Sequence, residues 1–412
     1  MTKPRLVRKQ HARSCLRISH EQLLRERFVR GRLLAFLAVV PVLFSVLVAP
    51  VPSASSQFFA PASASGDLFG YSVAWAGGSI VVGAAAGTDA DGSVYVFDRG
   101  SRGWQVGAPL RARGFGSHIA ASQSEVAIGA PGEGGRRGYV YVYLQNSLGW
   151  RLSARLSPGT GVPSFGESLA LAGPLLVVGA PGTNGFATPY SAGAAYVYIR
   201  GGGQWHLQAV LRPPETEVGN FFGEAVSVSD GSIVVGAPGT ASAKGAVGRA
   251  YVFAQSGQGW VGAATLYDPD NAPGDLFGQS VAMSGGALVV GAPGAADAAG
   301  RAYTYVRDAD TSAWSSKNVL SGRGAEPGDS FGSSVAVAGS IFVVGMPLYD
   351  GGDGEVYVFS KRSSWTQEEL TAPRTASGRF GFSMDLVGQS LLVGAPGLST
   401  NVGRVYVYPN VN

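Results

Sequence analysis

Short apolar runs, separated by glycine-rich turns, occupy the chain from about residue 56 to its end. Runs such as "SIVVGA" (79–84) are continuous in Val and Ile, which is typical of strands buried on both faces. Each of these runs follows a run of the form FGxSVA and precedes one of the form GxVYVF. A fourth run begins with Trp and ends with Leu. No helical periodicity competes with this pattern after residue 55, so the sequence predicts an all-β fold.

The four runs recur seven times. A Phe-Gly pair opens each repeat, and 14 residues after the Phe a glycine closes the second run, most often as Gly-Ala-Pro. A Tyr-x-aromatic motif follows, with a glycine three residues before it, and six repeats continue to a Trp. The pairs are Phe69 and Gly70, Phe115 and Gly116, Phe165 and Gly166, Phe222 and Gly223, Phe277 and Gly278, Phe331 and Gly332, and Phe380 and Gly381.

Seven units of 46 to 57 residues, with four antiparallel strands each, predict a seven-bladed β-propeller over residues 56–412. The repeats start near residues 67, 113, 163, 220, 275, 329 and 378. Small residues fill alternate positions of the first strand, as expected where seven strands crowd around one axis. In the fourth strand, Trp and Leu are six residues apart in five repeats, and this even spacing predicts that both lie on one face.

The seventh repeat ends at "YVYPNVN", without its Trp…Leu strand. Phe58 precedes Phe69 by eleven residues, which is close to the spacing between an outer-strand Leu and the next Phe-Gly pair. We therefore expect a strand near 57–62 to pair with the strand at Gly403–Tyr408. Such pairing closes the ring and removes its free edges.

Residues 1–55 have the pattern of an export leader. Ten Lys and Arg residues fall within residues 1–32, and an apolar run and a stretch of small residues follow. This order is typical of a signal peptide and predicts a secreted or cell-surface protein. The alternative is a single-pass membrane protein anchored by residues 33–51, because that run is long enough to span a bilayer if Pro41 is tolerated. Membrane contact is then expected only through this uncleaved segment.

Outside the leader, composition excludes some classes of function. The remaining chain has 21 basic and 25 acidic residues, so the basic balance of the full sequence belongs to the leader. The folded part is therefore not predicted to bind nucleic acid. The only cysteine of the sequence, Cys15, also lies in the leader, which excludes disulfides and thiol chemistry in the propeller.

The repeated words resemble the FG-GAP repeat, and their arrangement is similar to the seven-bladed propeller of integrin α chains. The resemblance covers residues 57–412 and implies an exported module for recognition or adhesion. Calcium-binding integrin blades carry an acidic loop between the Phe-Gly and GAP strands. Here those connections are short and poor in carboxylates, "WAGGS" for example, so the sequence resembles a variant without the calcium loops.

Four aspartates are weak candidates for cation ligands: Asp89, Asp91, Asp350 and Asp353. They lie between the GAP and Tyr strands, where Asp-Gly is ordinary turn chemistry, and we favour the turn interpretation. Neither a metal nor a cofactor is predicted.

Polar residues that recur before the Phe-Gly pairs are interpreted as structural residues and not as parts of a site. Asp67, Asn220, Asp275 and Asp329 each stand two residues before a Phe-Gly pair, where a side-chain oxygen can accept a backbone N–H. His118 and Asp385 interrupt the rows of small residues on the first strands and are predicted to line the central channel if those rows face it. No nucleophile or metal-ligand cluster accompanies them, and a hydrogen-bonded or solvated histidine is favoured over a catalytic one.

The loops after the GAP motifs of blades three and four are longer than the others, at Thr183–Gly193 and Thr240–Gly248. Binding residues often lie on loops held by a rigid scaffold, so Phe186, Tyr190 and Lys244 are the candidate ligand contacts. Neutral variation in loop length is the alternative.

These observations predict a non-enzymatic module that binds a surface or extracellular protein or glycan. A structural component of a matrix or envelope is the alternative. A hydrolase or lyase is less favoured, because no converging pair of acids can be read from the spacing. Fold alone does not decide function, since propellers support many activities.

Overall fold

The computed structural model describes residues 56–60, 68–85, 91–101, 103–159, 162–182, 192–214, 220–239, 247–257, 259–270, 272–361, 365–371, 378–397 and 402–411. The predicted leader, residues 1–55, lies outside these ranges. Within them, no helix combines the length and apolarity needed to cross a membrane.

Seven antiparallel sheets form the blades of a propeller, each with the first strand of its repeat innermost. The outermost strand of the seventh blade is β1 (Ser56–Phe58). Blade one contains β2 (Phe69–Ala76), β3 (Ser79–Ala84), β4 (Asp91–Gly100), β5 (Gly103–Val106) and β6 (Leu110–Arg113). Blade two contains β7 (His118–Ala121), β8 (Glu125–Ala130), β9 (Tyr139–Asn146) and β10 (Gly149–Leu156). Blade three contains β11 (Ser168–Ala172), β12 (Leu175–Ala180), β13 (Ala194–Gly201) and β14 (Gln204–Leu211).

The remaining blades repeat this order. Blade four contains β15 (Ala225–Ser229), β16 (Ser232–Ala237), β17 (Arg249–Ser256) and β18 (Gly259–Tyr267). Blade five contains β19 (Ser280–Ser284), β20 (Ala287–Ala292), β21 (Arg301–Arg307) and β22 (Trp314–Leu320). Blade six contains β23 (Ser334–Ala338), β24 (Ile341–Met346), β25 (Glu355–Lys361) and β26 (Trp365–Thr371). Blade seven contains β27 (Ser383–Val387), β28 (Ser390–Ala395) and β29 (Arg404–Tyr408), followed outward by β1. Single helical turns follow the second strands of blades two, five and six: α1 (Glu133–Arg136), α2 (Ala295–Ala298) and α3 (Tyr349–Gly352).

The predicted ring closure is confirmed. Strand β1 pairs antiparallel with β29, and Phe58 lies opposite Val405. Phe58 is buried and packs edge-on against Phe97 and Trp104 of blade one, with ring centroids 5.0 and 5.5 Å apart. The first segment of the propeller therefore joins its last blade to its first.

Seven hydrophobic cores lie between adjacent blades, one at each junction. The Phe of every Phe-Gly pair is buried in one of them, with at most 1% of its surface exposed. Each such ring contacts the Tyr-x-aromatic motif of its own blade. Phe277, for example, lies 5.4 Å from Tyr303 and shares a core with Val252 of blade four. The repeated aromatic residues thus hold neighbouring blades together.

The prediction that Trp and Leu of the outer strand share one face is wrong. In blade two, a β-bulge between Leu152 and Ala154 shifts the register, so Trp150 pairs with Gln145 and Leu156 with Val140. The two side chains therefore lie five paired positions apart, on opposite faces. Blades three, four and five carry the same irregularity. The Trp consequently packs toward the preceding blade and the Leu toward the following one, as Trp205 and Leu211 do.

The Phe-Gly pair forms the centre of a tight turn. In six blades, the amide of the residue after the pair donates to the carbonyl of the residue before it, as Tyr71 does to Leu68 at 3.0 Å. The glycine has a φ between 84° and 99° in all seven blades, which fits the third position of a type II turn. A Cβ at Gly70 would also overlap the backbone of blade seven.

A serine on the innermost strand links five of the blades to the next. The hydroxyl of Ser72 donates to the carbonyl of Gly116 in blade two at 2.8 Å. The equivalent bonds are Ser168 to Gly223, Ser280 to Gly332, Ser334 to Gly381 and Ser383 to Gly70. The side chains at this position are therefore small for two reasons: the serine makes a hydrogen bond to the next blade, and the inner strands are crowded, as expected from the sequence.

Candidate functional site

The seven inner strands surround a cavity of about 710 Å³ on the propeller axis. Each Phe-Gly turn directs the chain into this region, and the residue directly after the glycine lines its mouth. These seven residues are Tyr71, Ser117, Glu167, Glu224, Gln279, Ser333 and Phe382. They occupy equivalent positions but differ in chemistry, so the symmetric scaffold carries an asymmetric cavity wall. We call this set the mouth ring.

Two carboxylates come from neighbouring blades of the mouth ring. Burial raises the pKa of Glu167. Burial also raises the pKa of Glu224, and the negative charge of Glu167 raises it further. Gln279 donates from Nε2 to Oε1 of Glu224 at 3.1 Å, which stabilises the ionised form and opposes the rise. This side of the cavity is therefore rich in hydrogen-bond acceptors and negative charge.

The opposite side combines aromatic rings with an arginine. Tyr71 and Phe382 adjoin across the junction of blades one and seven, with ring centroids 4.8 Å apart. Arg379 lines the same cavity, and its buried Nε atom has no hydrogen-bond partner among the described residues. Burial and the charges of Glu167 and Glu224 raise the pKa of Tyr71, whereas the charge of Arg379 lowers it. The Tyr71 hydroxyl thus lies within electrostatic range of both the acidic and the basic groups.

His118 stands where five other blades have the linking serine. Burial lowers its pKa to about 4, although the charge of Glu224 opposes this change. The imidazole is therefore neutral at neutral pH. Its Nδ1 is buried and has no hydrogen-bond partner in the part of the chain that the structure describes. The side chain lines the axial cavity, as the sequence predicted.

Asp385 lines a second, smaller cavity of about 260 Å³ formed by the inner strands, whereas His118 does not. The Trp75 amide donates to Oδ2 of Asp385 at 2.7 Å. Burial raises the pKa of Asp385 to about 6, while the backbone donors Trp75 and Leu386 favour its ionised form. His118 and Asp385 thus both face the centre of the ring, but they line different cavities.

The entrance residues of the first strands are only partly as predicted. At Asp329, a side-chain oxygen accepts the Glu326 amide at 2.7 Å, as expected. At Asn220 and Asp275, the backbone carbonyls accept the amides of Gly239 and Gly294 instead. Asp67 lies outside the described residues.

The candidate loop contacts Phe186, Tyr190 and Lys244 also lie outside the described residues, as does Asp89. Asp91 begins β4, Asp350 lies in α3, and Asp353 is the residue that follows α3 as its C-cap. In the ranges that the structure describes, no group of three or more His, Cys, Asp and Glu residues is arranged to hold a metal ion.

The mouth ring was missed by sequence reasoning, although a signal for it exists. The motif FGxSVA repeats closely, and its third position is the one that changes among Tyr, Ser, Glu, Gln and Phe. Variation within an otherwise regular motif marks the position that the scaffold leaves free. The pairing of Glu167 with Glu224 also brings together two acids that lie 57 residues apart in sequence.

Comparison with known families identifies the repeat. The family model described as "FG-GAP repeat" matches residues 54–97, 205–253, 260–305 and 314–359. Four segments of the chain therefore match the FG-GAP repeat, and the seven repeats of the chain form a seven-bladed β-propeller. No curated protein matches it.

The search of solved structures gives matches at low sequence identity. A chain in the "Crystal Structure of Mitotic Checkpoint Complex" is 14% identical, with a TM-score of 0.55, and the alignment covers 93% of this chain and 100% of that one. Sqt1 of Saccharomyces cerevisiae is 13% identical, with a TM-score of 0.48, and the alignment covers 87% and 100% of the two chains. At 14% identity, the similarity to the first of these chains concerns the fold alone.

Proposed function

We propose that this protein is a non-catalytic recognition module, exported to the cell surface or beyond, that binds a protein or glycan at the mouth ring. The observation that carries the proposal is the asymmetric chemistry of seven equivalent positions around one cavity. Ligand sites are commonly concave and place a few polar groups within a preformed wall. The regular blades supply that rigid wall, since turns, glycines and aromatic cores repeat in all seven.

The leader pattern supports export, and the FG-GAP repeat is consistent with a binding role. N-terminal sequencing of the protein recovered outside the cell tests this part. A mature N-terminus between residues 50 and 56 supports secretion. An intact leader in the membrane fraction supports the anchored alternative, and a full-length cytosolic protein contradicts export.

Ligand binding is tested with the tagged full-length protein on glycan and peptide arrays. Glu224→Gln and Tyr71→Ala change the mouth ring, whereas Phe186→Ala and Tyr190→Ala change the loop predicted from the sequence. Glu326→Gln, at an exposed site in the loop between blades five and six, is the matched control. Loss of a binding signal in the mouth variants alone supports the proposal. Loss only in the loop variants, or in none, contradicts binding at the mouth.

The paired acids also require a test for catalysis, because two carboxylates are the usual machinery of glycoside hydrolysis. The same full-length protein is incubated with any glycan that it binds. Turnover that is abolished by both Glu167→Gln and Glu224→Gln would overturn the non-catalytic proposal. Binding without turnover supports it.

A further inference from the structure

We infer that the axial cavity selects a ligand bearing both a cationic nitrogen and a carboxylate. This inference deepens the proposed recognition function and rests on it. The acidic wall of blades three and four takes an ammonium or guanidinium group, and Arg379 of blade seven takes the carboxylate. Such groups occur in free amino-carboxylic acids and in protein segments with neighbouring basic and acidic side chains.

The acidic wall favours a cation over a neutral ligand. Glu167 and Glu224 line the same cavity from neighbouring blades. Burial disfavours their ionised forms, and the two charges repel each other. A neutral ligand leaves this repulsion in place, whereas a cation between the carboxylates relieves it. The neutral His118 imidazole adds no competing positive charge at neutral pH. Its unpartnered Nδ1 instead offers a further polar contact inside the cavity.

Arg379 supplies the opposite charge. Its side chain lines the same cavity, and the buried Nε lacks a partner that a carboxylate oxygen can provide. Guanidinium groups pair with carboxylates through two parallel hydrogen bonds, which fixes orientation as well as charge. The position of Arg379 is set by the turn, because it directly precedes the Phe380-Gly381 pair and donates its backbone amide to Gly352.

The aromatic pair lines the same cavity as the charged groups. The charges of Glu167, Glu224 and Arg379 all act on the pKa of the Tyr71 hydroxyl. The Phe382 ring packs against the Tyr71 ring, with their centroids 4.8 Å apart. The apolar chain that joins the two ligand charges can therefore lie against these rings.

Isothermal titration of the full-length protein with three matched probes tests the inference. The probe 6-aminohexanoate carries both charges, hexylammonium carries the cation alone, and hexanoate carries the anion alone. We expect 6-aminohexanoate to bind about tenfold more tightly than either of the others, as one additional charge-assisted contact provides. Equal affinity for the three probes, or no binding of any, would overturn the inference.

Variants assign each charge to its side of the cavity. Glu224→Gln should weaken the binding of 6-aminohexanoate and of hexylammonium about tenfold, and it should leave the binding of hexanoate unchanged. Arg379→Met should weaken the binding of 6-aminohexanoate and of hexanoate, and it should leave the binding of hexylammonium unchanged. The controls Glu326→Gln and Arg151→Met are at exposed positions and should change nothing. Thermal melts of every variant confirm folding. If a folded variant no longer binds any of the three probes, the assignment of each charge to one side of the cavity is contradicted.

A capped peptide, Ac-Lys-Ala-Glu-NH₂, distinguishes the two sources of the ligand. Tighter binding of this peptide than of 6-aminohexanoate points to a protein segment, and the reverse points to a small molecule. Failure of this inference remains distinct from failure of the proposed function. If an uncharged glycan binds and its binding depends on the mouth ring, the inference of a charged ligand is overturned, whereas the proposed recognition function stands.

Discussion

The Phe-Gly pair is the residue-scale unit of this propeller, because one dipeptide meets two separate demands. The glycine takes a positive φ at a turn where a Cβ would strike the neighbouring blade. The phenylalanine fills the core between the two blades. The residue before the pair also has a positive φ in every blade, although only Gly114 is a glycine there. That conformation leaves no mark in the sequence, since Leu, Ser, Phe and Arg all occupy it.

Gly332→Ala should lower the free energy of unfolding by about 2–4 kcal/mol, because it combines a strained φ of 92° with overlap against Arg301 and Ala292. Denaturant unfolding measures the change. Gly262→Ala is the control, since this exposed outer-strand position has open space for a Cβ. A control that loses as much stability as Gly332→Ala would contradict the explanation.

The linking serine offers a paired test of loss and gain. Ser280→Ala removes a buried 2.7 Å hydrogen bond to Gly332 and should cost about 1 kcal/mol. Blade four has Ala225 at the equivalent position, so Ala225→Ser should form the missing bond to Gly278 and add a similar amount. Thermal and denaturant melts compare both variants with the unmodified protein. If Ala225→Ser destabilises the protein, the bond is not transferable between blades.

At the scale of elements, the outer strands show how a bulge changes a pattern. The Trp–Leu spacing is six where β10, β14, β18 and β22 contain an irregularity, and five in the straight β26. Both arrangements place the two residues five paired positions apart. The bulge therefore absorbs the extra residue, and the pairing positions of the Trp and the Leu stay the same. Counting alternation from the sequence alone gives the opposite answer.

Strand β1 has only three residues, yet it completes the seventh sheet. Phe58→Ala should lower the free energy of unfolding by about 3 kcal/mol, because a buried ring that contacts Phe97 and Trp104 is removed. The adjacent Phe59 is 47% exposed, and Phe59→Ala should cost less than about 1 kcal/mol. Denaturant unfolding of the two variants makes the comparison. Equal losses would show that β1 does not close the ring through Phe58.

At the scale of the whole molecule, closing the ring gathers acidic groups from separate blades around one axis. The pKa of Asp385 is raised from 3.8 to about 6. The folded state therefore prefers the protonated acid, and the ionised form weakens folding as pH rises from about 4 to 6. Below that window the protonated acid carries no such penalty.

Asp385→Asn should remove this pH dependence, because the amide oxygen can still accept the Trp75 N–H without carrying charge. Melting temperatures are measured at pH 4 and pH 7.5. We expect the variant to be more stable than the unmodified protein at pH 7.5 and equal to it at pH 4. Asp310→Asn, at an exposed site, controls for net charge. A difference that is larger at pH 4 would contradict the sign.

The sequence by itself determined the number of blades, the four strands of each and the use of an N-terminal strand to close the ring. These follow from local rules: turn chemistry, continuous apolar runs and glycine positions recur in register. It also indicated that His118 lines the centre, because a large residue stood out in a row of small ones.

The tertiary structure alone decided which side chains face each other and which line the axial cavity. The bulges set the faces of the outer Trp and Leu, and the turns aimed the mouth ring into the axial cavity. Glu167 and Glu224 come together when blades three and four pack side by side, and Tyr71 meets Phe382 when ring closure brings blades one and seven together. The spacing within one repeat does not encode these contacts between blades. The physical reason is that a repeat specifies each blade, whereas a site on the axis belongs to all seven.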